Sequence, residues 1–338
     1  MIGNKVKNPT PKSLTNDRIY WVDAAKALGL FLVFWGHTLY SGSEVASIIN
    51  RAIYSFHMPM YFICSGYVLK PDTLSFNEYL KNKYKRILLP ALIVYLLTLP
   101  LYFYSLDYST ATAYSTIVQI FYISGICAYN DPIWFFICMF QVLVVSKLLN
   151  LSKAPKRKLI IATTAFLLLS YVMYISEWKY FNFFGINKCI LGLFFYSCGI
   201  IIKQTNYETY IKQVGWIVLP LWALIGILLN SKCAMYGMNL GNFWLFLLSS
   251  ITGTLAFFMV CKYLENNSKL RDYARWTIFI VCSHYIFVSI ISKVASILSV
   301  RGTYAFDIMS LLYVFLILYA YKYVCQLIER KVPILIGK

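Results

Sequence analysis

Long apolar runs with few or no charges recur along the chain. Each is near the roughly 20 residues a helix needs to cross about 30 Å of hydrocarbon. Backbone amides in lipid must be paired within the segment, so the runs read as helices. The pattern predicts ten spans, at 22–40, 48–69, 87–105, 132–150, 159–176, 188–203, 214–230, 243–264, 276–297 and 307–326. The sixth is the shortest. One further apolar stretch, Tyr114 to Ile126, is short and is followed by Asn130-Asp131-Pro132. It reads as an interfacial or re-entrant segment. If it crossed, the count would become odd and the topology would change.

Composition supports this class. Of 338 residues 60% are hydrophobic and only 13% charged, too little charge to cover a water-exposed globule. The charge pattern then gives an orientation, because lysine and arginine beside spans are retained on the cytoplasmic side. With the N-terminus inside, 24 of the 31 basic residues fall on inner segments. The outer ends and loops hold Arg51, Lys179, Lys188, Lys232, Lys293 and Arg301, and Lys26 lies within the first span. The expectation is an all-α, polytopic integral membrane protein with about ten transmembrane helices and both termini cytoplasmic. Residues 1–21 form a cytoplasmic N-terminal segment, 22–326 a single transmembrane domain and 327–338 a cytoplasmic tail.

The net charge of +18 is explained by this topology and by attraction to anionic lipid. The basic loops lack interleaved aromatics or a binding module, so no nucleic-acid partner is expected. The first span opens too late and is too long for a cleaved signal peptide and should remain in the mature protein. No connection is long enough for a soluble domain. No internal repeat of the kind common in secondary transporters is evident. The nine cysteines occur singly, without histidine at ligand spacing, and read as packing residues with no metal site. Aromatic belts at the two interfaces account for most of the tyrosine, phenylalanine and tryptophan.

Ionisable groups inside a span are costly and tend to face a protein interior or watery cavity. The first span carries three, Asp23, Lys26 and His37. Asp23 and Lys26 are three residues apart and share a face, where a local ion pair is the plain structural reading. Lys26 and His37 are eleven apart, close to three turns, so they also share a face about 16 Å apart along the axis. That spacing suits a long substrate with its anionic part held at the inner end and its reactive part at the histidine. A buried, hydrogen-bonded histidine is the alternative. The second span contains Tyr54-Ser55-Phe56-His57-Met58-Pro59. Proline removes an amide donor, leaving a kink and unpaired carbonyls. Since the two spans form a hairpin, His37 and His57 both lie toward the outer half. There they can serve as base and orienting partner in proton transfer. The alternative is that Pro59 is only a kink and His57 only caps a carbonyl. His284, at middle depth of the ninth span, is ambiguous taken alone.

At these residues the chain resembles the membrane acyltransferase-3 family, bacterial O-acyltransferases that include the fucose 4-O-acetylase-like proteins. The family's mark, arginine or lysine followed by ten residues and histidine, is matched by Lys26 to His37, with Asp23 as the preceding acid. Its second-span pattern is similar to Phe56-His57-Met58-Pro59 through Phe62 and then Ser65-Gly66-Tyr67, and His284 matches its late histidine more loosely. Many members have arginine where this chain has Lys26, which offers a point charge rather than a bidentate fork.

The resemblance implies transfer of an acyl group, usually acetyl from acetyl-coenzyme A, to a hydroxyl of a lipid-linked or cell-surface glycan. It implies a multi-pass protein of the bacterial inner membrane, with acetyl-CoA, glycan and membrane lipid as partners and no tightly bound cofactor. His37 and His57 are the implied catalytic residues. Lys26 and Asp23 are implied donor contacts, and Pro59, Ser65, Tyr67 and His284 further site residues; Arg86, on a basic inner segment, would suit the CoA phosphates, plain positive-inside charge being the alternative reading of it. Direct attack of a hydroxyl activated by His37 and a covalent acetyl-histidine relay both remain open, as does succinyl in place of acetyl. The rival reading is an exporter of polysaccharide or lipid-linked glycan without acyl transfer. It would need polar residues along a continuous path, whereas the intramembrane charges here cluster in the first two spans.

Overall fold

The computed structural model describes residues 18–39, 42–105, 130–176, 183–205, 215–231 and 233–338. The Tyr114–Ile126 stretch, residues 1–17, Lys179, Lys212 and Lys232 lie outside these, so the expectations that fall on them are not addressed.

The described chain is helical. Its helices are α1 (Tyr20–Thr38), α2 (Glu44–Tyr67), α3 (Phe76–Lys83), α4 (Leu89–Ser105), α5 (Trp134–Leu148) and α6 (Lys156–Ile175). They continue with α7 (Ile186–Gln204), α8 (Gly215–Leu229), α9 (Phe243–Tyr263), α10 (Ser268–Ile297) and α11 (Tyr304–Lys331). Each of the ten expected spans falls on a helix. Among the described residues six helices, counting the short 3-10 turns that lead into α5 and α7, are long and apolar enough to cross a membrane by length and composition, and α8 is a shorter apolar helix.

Local signals explain the element ends. Ser75 and Glu78 form a reciprocal capping box at the start of α3, and bonds from the Ser75 hydroxyl and amide hold the Glu78 carboxyl below its usual range. A π-helical turn at Tyr84–Leu88 joins α3 to α4. Asn242, Asn267 and Thr303 cap α9, α10 and α11 through their side chains. α2 is closed at its start by Ser43, whose amide and hydroxyl both donate to Asp307 at the head of α11.

The centre of the bundle is α1 and α2, wrapped by α10, α9 and α7, while α5 and α6 pack on α7, α8 packs on α9, and α4 and α11 pack on α10. α2 and α7 touch backbone to backbone. A Cβ on Gly66 would overlap the Tyr196 carbonyl, and one on Gly199 would overlap the Ile63 carbonyl, the close approach that small residues permit between membrane helices. Among the six, α7 with its leading turn is the most buried and α6 and α11 the least.

Polar bonds also tie the centre together. Pro59 offers no amide to the carbonyl of Ser55, and the Ser250 hydroxyl from α9 donates to that carbonyl at 2.6 Å. Asn50 of α2 donates to the Gly36 carbonyl of α1 at 2.6 Å. The carbonyl that Pro59 leaves open in α2 is thereby satisfied by a neighbouring helix.

Candidate active site

His37 ends up in the last turn of α1. The hairpin turn to α2 carries Tyr54 alongside it, with the tyrosine hydroxyl 3.2 Å from His37 Nδ1. The Tyr54 ring stands 5.9 Å from that of His37 and 5.0 Å from that of His57, nearly edge-on to each. From α10, His284 brings its ring to 5.4 Å and Tyr285 to 5.5 Å from His37. All three histidines of the chain therefore meet at one level, with His37 as the hub and Tyr54 between it and His57.

Two of the imidazoles have their tautomers set by backbone. A carbonyl can only accept, so the ring nitrogen facing it must carry the proton. His57 Nδ1 lies 2.7 Å from the Ile53 carbonyl and His284 Nδ1 lies 2.8 Å from the Val281 carbonyl. In the neutral form each thus leaves Nε2 as a lone pair able to take a proton. His284 Nε2 is buried and has no hydrogen-bond partner among the described residues. The partner of His37 Nδ1 is a hydroxyl, which can donate or accept. When the Tyr54 oxygen accepts from Nδ1–H, His37 Nε2 is the basic atom; when Tyr54 donates, Nε2–H is an acid.

A cavity of about 550 Å³ lies against this cluster. His37, Thr38, Tyr54, His57 and Tyr61 form its α1 and α2 walls, Trp134 to Phe136 and Tyr236 close another side, and one face of α10 forms the remainder. That face runs through Thr277, Val281, Tyr285, Val288 and Ser292, a helical repeat of three and four residues. Lys293, Arg301 and Asp131 stand at the cavity as charged lining.

The expected residues divide between the two ends of α1. His37 and His57 line the cavity, and His284 stacks behind them. Pro59 lies buried in α2 just beyond His57, where its effect is the Ser55–Ser250 bond. Lys26, Asp23, Arg86, Ser65 and Tyr67 are not part of the lining. The local Asp23–Lys26 pair is replaced by another: Asp23 takes Arg18 at 2.5 Å. Arg18 reaches it from outside the helix as a planar charged donor, and the carboxylate sits in the first turn where the helix dipole favours it. Lys26 is half-buried, and its carbonyl accepts from the Tyr61 hydroxyl at 2.9 Å. Tyr61 therefore connects the cavity wall to the backbone at Lys26. The Tyr67 ring packs on Trp21 at 4.8 Å, Ser65 is half-buried, and Arg86 is exposed.

Sequence reasoning did not single out Tyr54, Tyr285, Asn130 or Lys188. Tyr54 precedes His57 by three residues and so shares its face, which was the available signal. Asn130 is wholly buried, its side-chain amide donates to the Cys282 carbonyl at 2.5 Å, and its side-chain oxygen Oδ1 has no partner among the described residues. Lys188, expected among the outer-loop charges, is instead 1% exposed inside α7. Its ammonium donates to the Tyr236 carbonyl at 3.1 Å and stands 5.9 Å from the Trp134 ring, fixing two residues of the cavity wall. The reason it tolerates burial is this set of partners. Among the described residues no group of three His, Cys, Asp or Glu side chains is placed to hold a metal.

A family model described as an acyltransferase domain matches residues 19–329. The chain belongs to the acyltransferase-3 family. Searches of curated proteins and of solved structures each returned no match. The acyltransferase-3 match runs from the start of α1 almost to the end of α11, so the histidine cluster and the cavity both lie within it. The protein is a membrane acyltransferase.

Proposed function

We propose that this acyltransferase moves an acetyl group from acetyl-CoA to a hydroxyl of a cell-surface or lipid-linked glycan at the bacterial inner membrane. The observation that carries the reading is the meeting of His37, His57 and Tyr54 on the wall of one cavity. A sugar hydroxyl is a poor nucleophile and needs its proton removed as it attacks. His37 Nε2 takes that proton while Nδ1–H donates to Tyr54. The hydroxyl oxygen bonds to the thioester carbon, the tetrahedral intermediate collapses, and the CoA thiolate leaves, recovering a proton from the imidazolium. His57, its Nδ1–H held by Ile53, keeps a second basic nitrogen at the same wall.

The donor enters at the other end of α1. Lys26 there, with basic residues of the inner segments such as the exposed Arg86, provides cations for the CoA phosphates. The positive-inside pattern makes this the cytoplasmic end. Tyr61, touching both the cavity and the Lys26 backbone, lies on the line the acetyl group must follow. The fully buried apolar stretch Met60, Phe62, Ile63 and Cys64 in α2 favours a local reaction over a continuous polar export path.

The test is incubation of purified protein in nanodiscs with radiolabelled acetyl-CoA and a membrane glycolipid extract, wild type beside His37→Ala. Label in glycan with wild type and its loss by about 10²–10⁴-fold in the folded variant is the expected result. Full transfer by His37→Ala sinks the assignment; donor neither bound nor consumed, with an active acceptor pool verified, points to export.

A further inference from the structure

The end of the bundle that bears His37 is the end where the charge rule leaves few basic residues. Among the described residues these are Arg51, Lys188, Lys293 and Arg301. Arg51 donates to the Asn230 carbonyl at 3.3 Å, at the loop that precedes α9. Lys188 is buried within the wall. The other two, Lys293 and Arg301, are exposed and both line the one cavity that holds His37 and His57. Two cations against the topological bias at the rim of a reaction cavity are a ligand-facing feature.

We propose that Lys293 and Arg301 form an anion-binding subsite at the cavity mouth, selecting acceptors that carry a carboxylate or phosphate group. This rests on the acyl-transfer reading of the same cavity and names its acceptor class. α10 supplies the scale. Tyr285 sits beside His37, and Lys293 lies eight residues further along the helix, about 12 Å along the axis. The anion is therefore held well away from the hydroxyl that reacts, on a neighbouring sugar or on the phosphate link of a lipid carrier rather than beside the attacking oxygen. Ser289 and Ser292 lie between on the same lining face and offer hydroxyls to the intervening saccharide. Arg301 is steadied by a bond from Nη1 to the Ser296 hydroxyl at 3.2 Å. Asp131, the acidic residue on the lining, opposes a second negative charge deeper in the cavity and so favours an acceptor with its anion at the rim.

The experiment uses the full chain in nanodiscs. A membrane glycolipid extract is split by anion exchange into neutral and acidic fractions, and each is offered with radiolabelled acetyl-CoA to wild type, Lys293→Gln/Arg301→Gln and Lys293→Glu/Arg301→Glu. In parallel, binding of undecaprenyl phosphate and of a glucuronic-acid oligosaccharide is measured without acetyl-CoA. Wild type is expected to label the acidic fraction. The Gln double variant should raise KM for that fraction about ten-fold with kcat little changed, and the Glu double variant should shift preference to neutral acceptors. Loss of undecaprenyl phosphate binding alone assigns the anion to the lipid carrier, and loss of the oligosaccharide alone assigns it to the sugar. Equal labelling of both fractions, unchanged in the variants, overturns the subsite and leaves acyl transfer standing. Anion binding that the variants lose, with no labelling by any protein, overturns acyl transfer and leaves the subsite standing.

Discussion

The two ends of α1 are built differently. At the His37 end three imidazoles and two tyrosines from α1, α2 and α10 crowd around the wall of an open volume, and most polar atoms there are oriented by a specific partner. At the Lys26 end the groups are closed on one another. Asp23 is taken by Arg18, Trp21 is covered by Tyr67 and Phe258, and the Lys262 ammonium lies 6.0 Å from the Trp21 ring. The first arrangement faces an open cavity with basic ring nitrogens, and the second is a closed ionic and aromatic cluster. On the reading proposed above, the eleven-residue spacing between Lys26 and His37 separates two tasks, donor binding and chemistry, rather than spanning one catalytic centre.

Substitutions that act on one end alone can break or sharpen this division. After His37→Ala, the largest expected effect is from His57→Gln, which retains a donor for the Ile53 carbonyl but loses the basic nitrogen. A fall in kcat on the order of 10²-fold is expected, with KM for acetyl-CoA unchanged, read by steady-state transfer in nanodiscs. Unaltered kcat would restrict His57 to capping a carbonyl. Tyr54→Phe removes the hydroxyl on His37 Nδ1, and about a ten-fold loss in kcat is expected from one hydrogen bond. Because the role is positioning, the variant should also move the pH profile of kcat, which simple loss of packing would not. Smallest is Lys26→Ala, for which a several-fold rise in KM for acetyl-CoA at constant kcat is expected, on the order of one exposed charge contact. If instead kcat fell as far as in His57→Gln, the two ends would be acting as one centre.

Much of this was legible in the sequence. The ten apolar runs coincide with helices because a membrane helix announces itself by length and hydropathy alone. The shared face of Lys26 and His37, and the carbonyl left open by Pro59, follow from helical geometry and needed no neighbours. What stayed hidden was everything decided between helices. His284 was ambiguous because nothing in one chain segment says that α10 will lie against α1. The group on His37 Nδ1 is Tyr54, part of a stretch already noted for its histidine and proline, yet the tyrosine gained meaning only once α2 was folded back on α1. Lys188 was read as an outer-loop charge because hydropathy counts a lysine as exposed, and it cannot see the Tyr236 carbonyl and Trp134 ring that make burial tolerable. The same blindness made the sixth span look shortest. α7 carries Asn187, Lys188 and Ser197 because it is enclosed by protein rather than lipid, so its apolar run is broken where its packing is best.

The serine that closes the gap in α2 lies 195 residues further along the chain, and His284 follows it. During synthesis α1 and α2 enter the bilayer first, with the Ser55 carbonyl still open and His37 still lacking its α10 neighbours. The neighbours of His37 are thus completed late, once α9 and α10 have been made. A product that stops before α9 would therefore lack both the Ser250 bond to α2 and the α10 side chains beside His37.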